Sequence, residues 1–216
     1  VTYWTVPREW PGETIFVLAG GPSLRGFDSS PLAGRRVIAI NNSWELKPDC
    51  DVLHFCDRRW WDPNGLGHGE RVKAGFTGRW ITTVAALVHD PAVKRLRQSM
   101  RESGVSEDPS ALVHGGHGGY QAIGLAFLFG AKRIVLLGYD MRSLPLEEAI
   151  PGDGTHWHHG HSGQRRDHFE HRLRTCFLPS MRRLVEPLAR AGVEVLNATP
   201  DSALDCWPRV RLEETL

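Results

Sequence analysis

Short, largely apolar runs recur along this chain at Ile15–Ala19, Arg36–Ile40, Val52–Phe55 and Ile134–Leu137. A strand with one wet face alternates apolar and polar residues, whereas a strand covered on both faces does not alternate. These runs therefore predict buried, parallel strands. Weaker runs at Trp80–Thr83 and Ala111–His114 add to them, and Val193–Leu196 closes the series. Helical patterns fall between the strands. Residues Pro91 to Ser103 carry a charged, solvent-facing composition and stop at Gly104. Gly119 to Phe129 is apolar nearly all round, as expected of a central helix packed on a sheet. Arg165 to Ala191 is long and amphipathic, stopped by Gly192, with Pro179 and Pro187 expected to divide or kink it. Strands alternating with helices predict an α/β fold, a single Rossmann-like doubly wound and mostly parallel sheet.

Two stretches, Asp57 to Gly78 and Arg142 to Gly163, have no clear periodicity and read as long active-site loops. Both follow strong strands, and open α/β sheets collect ligands at the carboxyl ends of their strands. The first run breaks into Gly20-Gly21-Pro22-Ser23. Glycines permit a tight turn and close backbone approach to a ligand, and Ser23 is expected to cap a helical turn whose free N–H groups face a phosphate. The competing reading is an ordinary turn between strand and helix. The pattern is neither Gly-x-Gly-x-x-Gly nor a P-loop. Residues 1–216 are thus expected to form a single nucleotide-binding domain.

Composition narrows the partners. Lys and Arg number 26 against 25 Asp and Glu, so a net charge of +1 makes a nucleic-acid partner unlikely. The longest apolar run, Ala122 to Phe129, is far short of the roughly 20 residues that span a bilayer. No signal-peptide pattern opens the sequence, and Cys50, Cys56, Cys176 and Cys206 form no Cys-x-x-Cys pair. A reduced, cytoplasmic chain is the expectation. Apolar helices face either the sheet or another subunit, which leaves a homo-oligomer open.

Several strand ends carry polar candidates. Asn41 and Asn42 follow the second strand and can bond a base or ribose, with loop capping as the alternative. Asp57, followed by Arg58 and Arg59, suits ribose hydroxyls or a structural cap. Trp60 and Trp61 either stack on a ligand or anchor the loop in the core. His114-Gly115-Gly116-His117-Gly118-Gly119 precedes the central helix, and offers Gly116 and His117 to a second phosphate or sugar contact. The alternative is that its glycines let the helix sit tightly on the sheet. Asp140, at the end of Ile134–Leu137-Gly138-Tyr139, either orients a hydroxyl, holds a cation or fixes its own loop. The segment Thr155-His156-Trp157-His158-His159-Gly160-His161-Ser162 holds four histidines in six positions. One can serve as a general base at neutral pH, and imidazoles also bind zinc, although no His-Glu-x-x-His motif or cysteine pair accompanies them. No resident metal is assigned.

Three of these segments carry a resemblance: Gly20-Gly21-Pro22-Ser23-Leu24, the run from Phe129 to Asp140, and the region of His161-Ser162. They resemble the bacterial sialyltransferases that use a cytidine-monophosphate sugar. They are also similar to the wider superfamily of flagellin motility-associated glycosyltransferases and archaeal-type hydroxymethylpterin pyrophosphokinases. The tail Asn197 to Leu204 is similar to the closing segment of that group. The resemblance implies a transferase-like domain that moves a sugar from a nucleotide-sugar co-substrate to a hydroxyl acceptor, with no tightly bound cofactor. It implies nucleotide-binding roles for Gly21, Ser23 and Asn41 or Asn42, and makes His161 the general base with His159 and His158 as register alternatives. Arg142 stands where that family places a tyrosine that steadies the leaving phosphate. The pterin branch implies a different chemistry, magnesium-dependent pyrophosphoryl or phosphoryl transfer from ATP, with Asp57 or Asp140 toward the metal. A catalytically silent nucleotide-binding or structural protein on the same fold is the third expectation.

Overall fold

The computed structural model describes residues 2–87, 90–100, 104–149, 154–158 and 165–216. Its centre is a seven-stranded sheet in the order β5-β4-β3-β2-β1-β8-β9, with every pairing parallel. The strands are β1 (Thr14–Leu18), β2 (Arg36–Ile40), β3 (Val52–Phe55), β4 (Arg79–Thr82), β5 (Val93–Arg95), β8 (Arg133–Leu137) and β9 (Glu194–Asn197). Successive side chains of β1 enter opposite cores. Ile15 and Val17 join the side that holds the central helix α3 (Gly118–Phe129), while Phe16 and Leu18 join Trp44, Trp60, Trp61 and Phe76 on the other face. All four β1 residues are fully buried, which is why the run is continuously apolar.

The α/β architecture and parallel sheet are those expected from the sequence. Three local expectations are corrected. Pro91 to Ser103 is not a helix: its described residues form β5 and the short β6 (Arg97–Ser99). Long-range pairing overrides the charged pattern there, because β5 lies against β4 and the Arg95 carbonyl accepts from the Trp4 amide at 2.8 Å. The Arg95 guanidinium is buried against the Tyr3 ring, 4.4 Å from its centroid. Second, Ala111–His114 contributes β7 (Ala111–Val113), but to a separate two-stranded sheet with β6. Third, Asp57 to Gly78 is not an irregular loop, since it contains α1 (Arg58–Trp61) and α2 (His68–Gly75).

The long amphipathic stretch before β9 divides into α4 (Arg166–Arg172), a π-helical turn (Leu173–Phe177) and α5 (Leu178–Arg190). The division precedes Pro179, which occupies the first turn of α5, where its missing N–H costs little. Pro187 lies within α5. Among the described residues, no helix is long and apolar enough to cross a membrane. Chain order reverses across β1: β2 to β5 extend to one side, and β8 with β9 lie on the other. Such a reversal opens a crevice at the carboxyl ends of the strands.

Candidate functional site

A cleft of about 1100 Å³ occupies that crevice. Its floor is the end of β1 with Gly20, Gly21 and Pro22, and its walls come from the segments after β2, β3, β7 and β8. The turn after β1 is tied to the end of β8 by two bonds. The Ser23 amide donates to Asp140 Oδ1 at 2.9 Å, and the Ser23 hydroxyl donates to Asp140 Oδ2 at 2.8 Å. Burial raises the Asp140 carboxyl above its ordinary value, and the bonds from Ser23 oppose that shift. Ser23 therefore does not cap a helix. It lies inside a single 3₁₀ turn (Pro22–Leu24), whose cap position is Gly21 and has no side-chain bond. The glycine at position 21 has a packing cause as well. A Cβ there would overlap Asp140 Oδ2 and the Gly138 carbonyl oxygen.

The two asparagines after β2 separate. Asn41 lines the cleft with its backbone in the left-handed region (φ 50°), and its Oδ1 is buried without a hydrogen-bond partner among the described residues. Asn42 turns away from the cleft. Its Oδ1 accepts from Trp60 Nε1 at 2.5 Å, so it locks the α1 tryptophan into the core. Of the pair expected at a nucleotide, Asn42 is thus corrected to a structural residue. Trp60 and Trp61 are core anchors, with Trp61 stacked on Phe55 at 4.6 Å. Asp57 borders the cleft and caps α1, accepting from the Arg59 amide at 2.8 Å. Cys56 also borders it, with burial pushing its thiol up to about 12, far from a reactive thiolate.

The glycine-rich segment before α3 forms another wall. Gly115 and Gly116 have positive φ, and a Cβ at either would strike the Tyr120 ring or Cys176 Sγ respectively. His117 caps α3 through Nδ1, which accepts from the Tyr120 amide at 3.4 Å, while Nε2 is buried without a partner among the described residues. Burial, with Arg172 and His114 adding to it, pulls His117 down to about 3, so this ring is neutral at physiological pH. Gly116 and His117 both reach the cleft, as do Gly118 and Gly119.

Three further wall residues carried no site expectation of their own. Arg172, Leu173 and Phe177 line the cleft from the end of α4 and the π-helical turn. Arg172 Nη2 donates to the Gly116 carbonyl at 3.0 Å, and its guanidinium lies 4.8 Å from the Phe177 ring centroid. In sequence this arginine is one of several charges on an amphipathic helix, with no local signal that it borders the cleft.

Arg142 lines the cleft on the side of β8, with its side chain 46% exposed and its guanidinium 3.9 Å from Asp201. From the histidine-rich segment, His156 and His158 reach the cleft with rings 5.2 Å apart. His156 packs beside Gly20, its Nδ1 is 2.7 Å from the Thr155 hydroxyl, and the Trp157 amide donates to the Gly20 carbonyl at 3.1 Å. Thr155, His156 and Trp157 are thereby placed over the turn after β1. His159 and His161 lie outside the described residues, as does Ser162. His168 and His171 also border the cleft, on the exposed side of α4.

No protein-family model matches the sequence, and no curated protein matches it. Solved structures do. The fold is similar to that of the sialyltransferase CstII from Campylobacter jejuni in complex with cytidine-5'-monophosphate, at 13% identity and a TM-score of 0.51, covering 93% of this chain and 85% of that one. The same enzyme with CMP-3FNeuAc aligns at 13% identity and a TM-score of 0.46, over 91% and 84% of the two chains. Its complex with a trisaccharide acceptor and CMP gives 12% identity and a TM-score of 0.46, over 91% and 85%. The likeness is one of fold, a sialyltransferase-like α/β sheet flanked by helices.

Proposed function

We propose that this chain is a glycosyltransferase that takes its sugar from a nucleotide-activated, CMP-linked donor and passes it to a hydroxyl acceptor. The observation that carries the reading is the cleft itself. It lies at the chain-order reversal of a sheet whose fold is similar to a sialyltransferase solved with CMP, and it is lined by the glycine-rich turns and by Asn41, whose buried Oδ1 has no hydrogen-bond partner among the described residues. In this reading the acceptor oxygen attacks the anomeric carbon as the bond from that carbon to the phosphate oxygen breaks. The acceptor proton passes to an imidazole, and the nucleoside monophosphate departs with the bonding electron pair. Positive charge develops on the sugar and negative charge on the phosphate, so a cationic side chain near the phosphate favours the transition state.

The base is drawn from the histidine-rich segment, with His161 as the residue that the motif resemblance selects. Arg142 serves the departing phosphate: it is exposed, and among the described residues it is held by one long ion pair, which leaves it able to swing toward charge as it develops. Asp140 acts by positioning, since both of its oxygens accept from Ser23 and hold the turn after β1. The same engagement counts against it as a magnesium ligand in the ATP-dependent alternative, and Asp57 is likewise occupied as a cap. Thermal protection separates the two chemistries. CMP is expected to raise the melting temperature without added metal, by the mass-action stabilisation of a ligand that binds only the folded state. Protection by ATP that appears only with magnesium, with none from CMP, contradicts the proposal.

A further inference from the structure

We propose that Arg172 is the cation that holds the donor's phosphate in the ground state, a role that rests on the nucleotide-donor reading above. Four arginines border the cleft: Arg59, Arg142, Arg165 and Arg172. Arg165 is bound to Asp167 by two hydrogen bonds of 3.1 and 2.7 Å, and Arg142 faces Asp201. Arg59 belongs to the rim, beside the cap of α1. Arg172 differs from them in how it is fixed. Among the described residues it forms no ion pair with a carboxylate; a backbone carbonyl and an aromatic face hold it instead. Among these residues its positive charge is therefore positioned without being neutralised.

That field falls on the cleft. Arg172 is one of the charges that disfavour protonation of His117, and it favours the thiolate of Cys56, so its influence reaches the segments after β7 and β3 alike. The Gly116 carbonyl takes one N–H of the guanidinium, and a guanidinium has five. The remaining donors sit in a planar fork that suits two oxygens of one phosphate. The guanidinium carbon lies over the Phe177 ring, and both residues belong to the same wall of the cleft. Arg172 thus complements Arg142: one is pre-set and engages the bound donor, the other engages the charge that grows as the sugar leaves.

The test is the preference for a nucleotide over its nucleoside, measured by calorimetry with CMP and cytidine, and with pyrophosphate as a probe without a base. Wild-type protein is expected to bind CMP more tightly than cytidine by at least about tenfold, the scale of one charge-assisted hydrogen bond. Arg172→Gln should bring that ratio to within about threefold while leaving cytidine affinity unchanged, a pattern that a general loosening of the cleft does not produce. Arg172→Lys, which keeps the charge and loses the fork, should fall between the two. It decides the matter if Arg172→Gln does not fold. Arg142→Gln should retain most of the ratio. An undiminished CMP-to-cytidine ratio in both Arg172 variants overturns the proposal. If wild type binds neither CMP nor cytidine, the donor reading fails, and pyrophosphate then judges Arg172 separately: binding lost in Arg172→Gln sustains an anion site, and binding that is absent or indifferent to the variant overturns it.

Discussion

Asp140 and Gly21 meet at the point where the first and eighth strands end, and each explains the other. The carboxylate accepts two bonds from Ser23 across 117 residues of sequence, and the missing side chain at position 21 makes room for it. Gly21→Ala is accordingly expected to destabilise the protein without any ligand, by the 1–3 kcal/mol typical of overpacking, about the same as an Asp140→Ala change that strands the Ser23 amide. Denaturant melts of the ligand-free variants check this, and an unchanged midpoint for Gly21→Ala contradicts it. Two buried imidazoles give a second residue-scale expectation. His54 is pulled down to about 4 and His117 to about 3, chiefly by burial. Both stay neutral in the fold but protonate near pH 6.5 when unfolded, so the unfolded state binds more protons below that pH. Stability should therefore fall as pH drops from 6.5 to 5, and neither group contributes a slope above 6.5. His117→Asn keeps a good capping side chain and removes one titrating group, so its stability should vary less steeply across that window. Equal slopes for variant and wild type would contradict the assignment. For His161, the expected result of His161→Ala is a loss of about 10²–10⁴ in turnover with donor affinity retained, the range of general-base assistance. His158→Ala and His159→Ala should be milder, and full activity in His161→Ala removes it as the base.

At the scale of elements, the π-helical turn at Leu173–Phe177 follows directly on α4, and residues of both line the cleft. Single π turns interrupt helices frequently at functional sites, since one extra residue redirects the side chains on either side. Deleting the exposed Thr175 should restore α-helical spacing and rotate α4 by about 100° relative to α5, carrying Arg172 off the wall. Helical content should be retained while CMP affinity falls by about tenfold or more, as read by circular dichroism and calorimetry. Unaltered affinity would show that the turn does not position the site. This element also marks where sequence reading stops. A helix apolar all round, such as α3, announces its burial, and β1, β2, β3 and β8 announce theirs by lacking alternation. β5 and β6 do not. Their charged residues satisfy no helix but pair with β4, β7 and the N-terminal segment, and partners that distant leave no local signal.

Across the whole molecule, the location of the cleft was legible because it follows from topology: strand ends in a sheet with a reversal of chain order. The Gly20–Ser23 turn, Asn41, Asp57, the Gly116–His117 segment, Asp140 and Arg142 all follow or adjoin strand ends, and all border or support this cleft. What a strand-end rule does not provide is side-chain direction. Asn41 and Asn42 are neighbours, yet the left-handed backbone at Asn41 sends one toward the cleft and the other toward Trp60. Arg172 lies 56 residues from the Gly116 carbonyl that fixes it, a distance at which pattern reading has no purchase. The central claim is that this cleft receives a CMP-linked donor. A crystal structure of the protein grown with saturating CMP tests it most directly. The expected result is CMP against the turn after β1, its phosphate within hydrogen-bond distance of the Arg172 guanidinium and its nucleoside within reach of Asn41. A cleft without nucleotide under those conditions, or CMP bound only elsewhere on the surface, contradicts it.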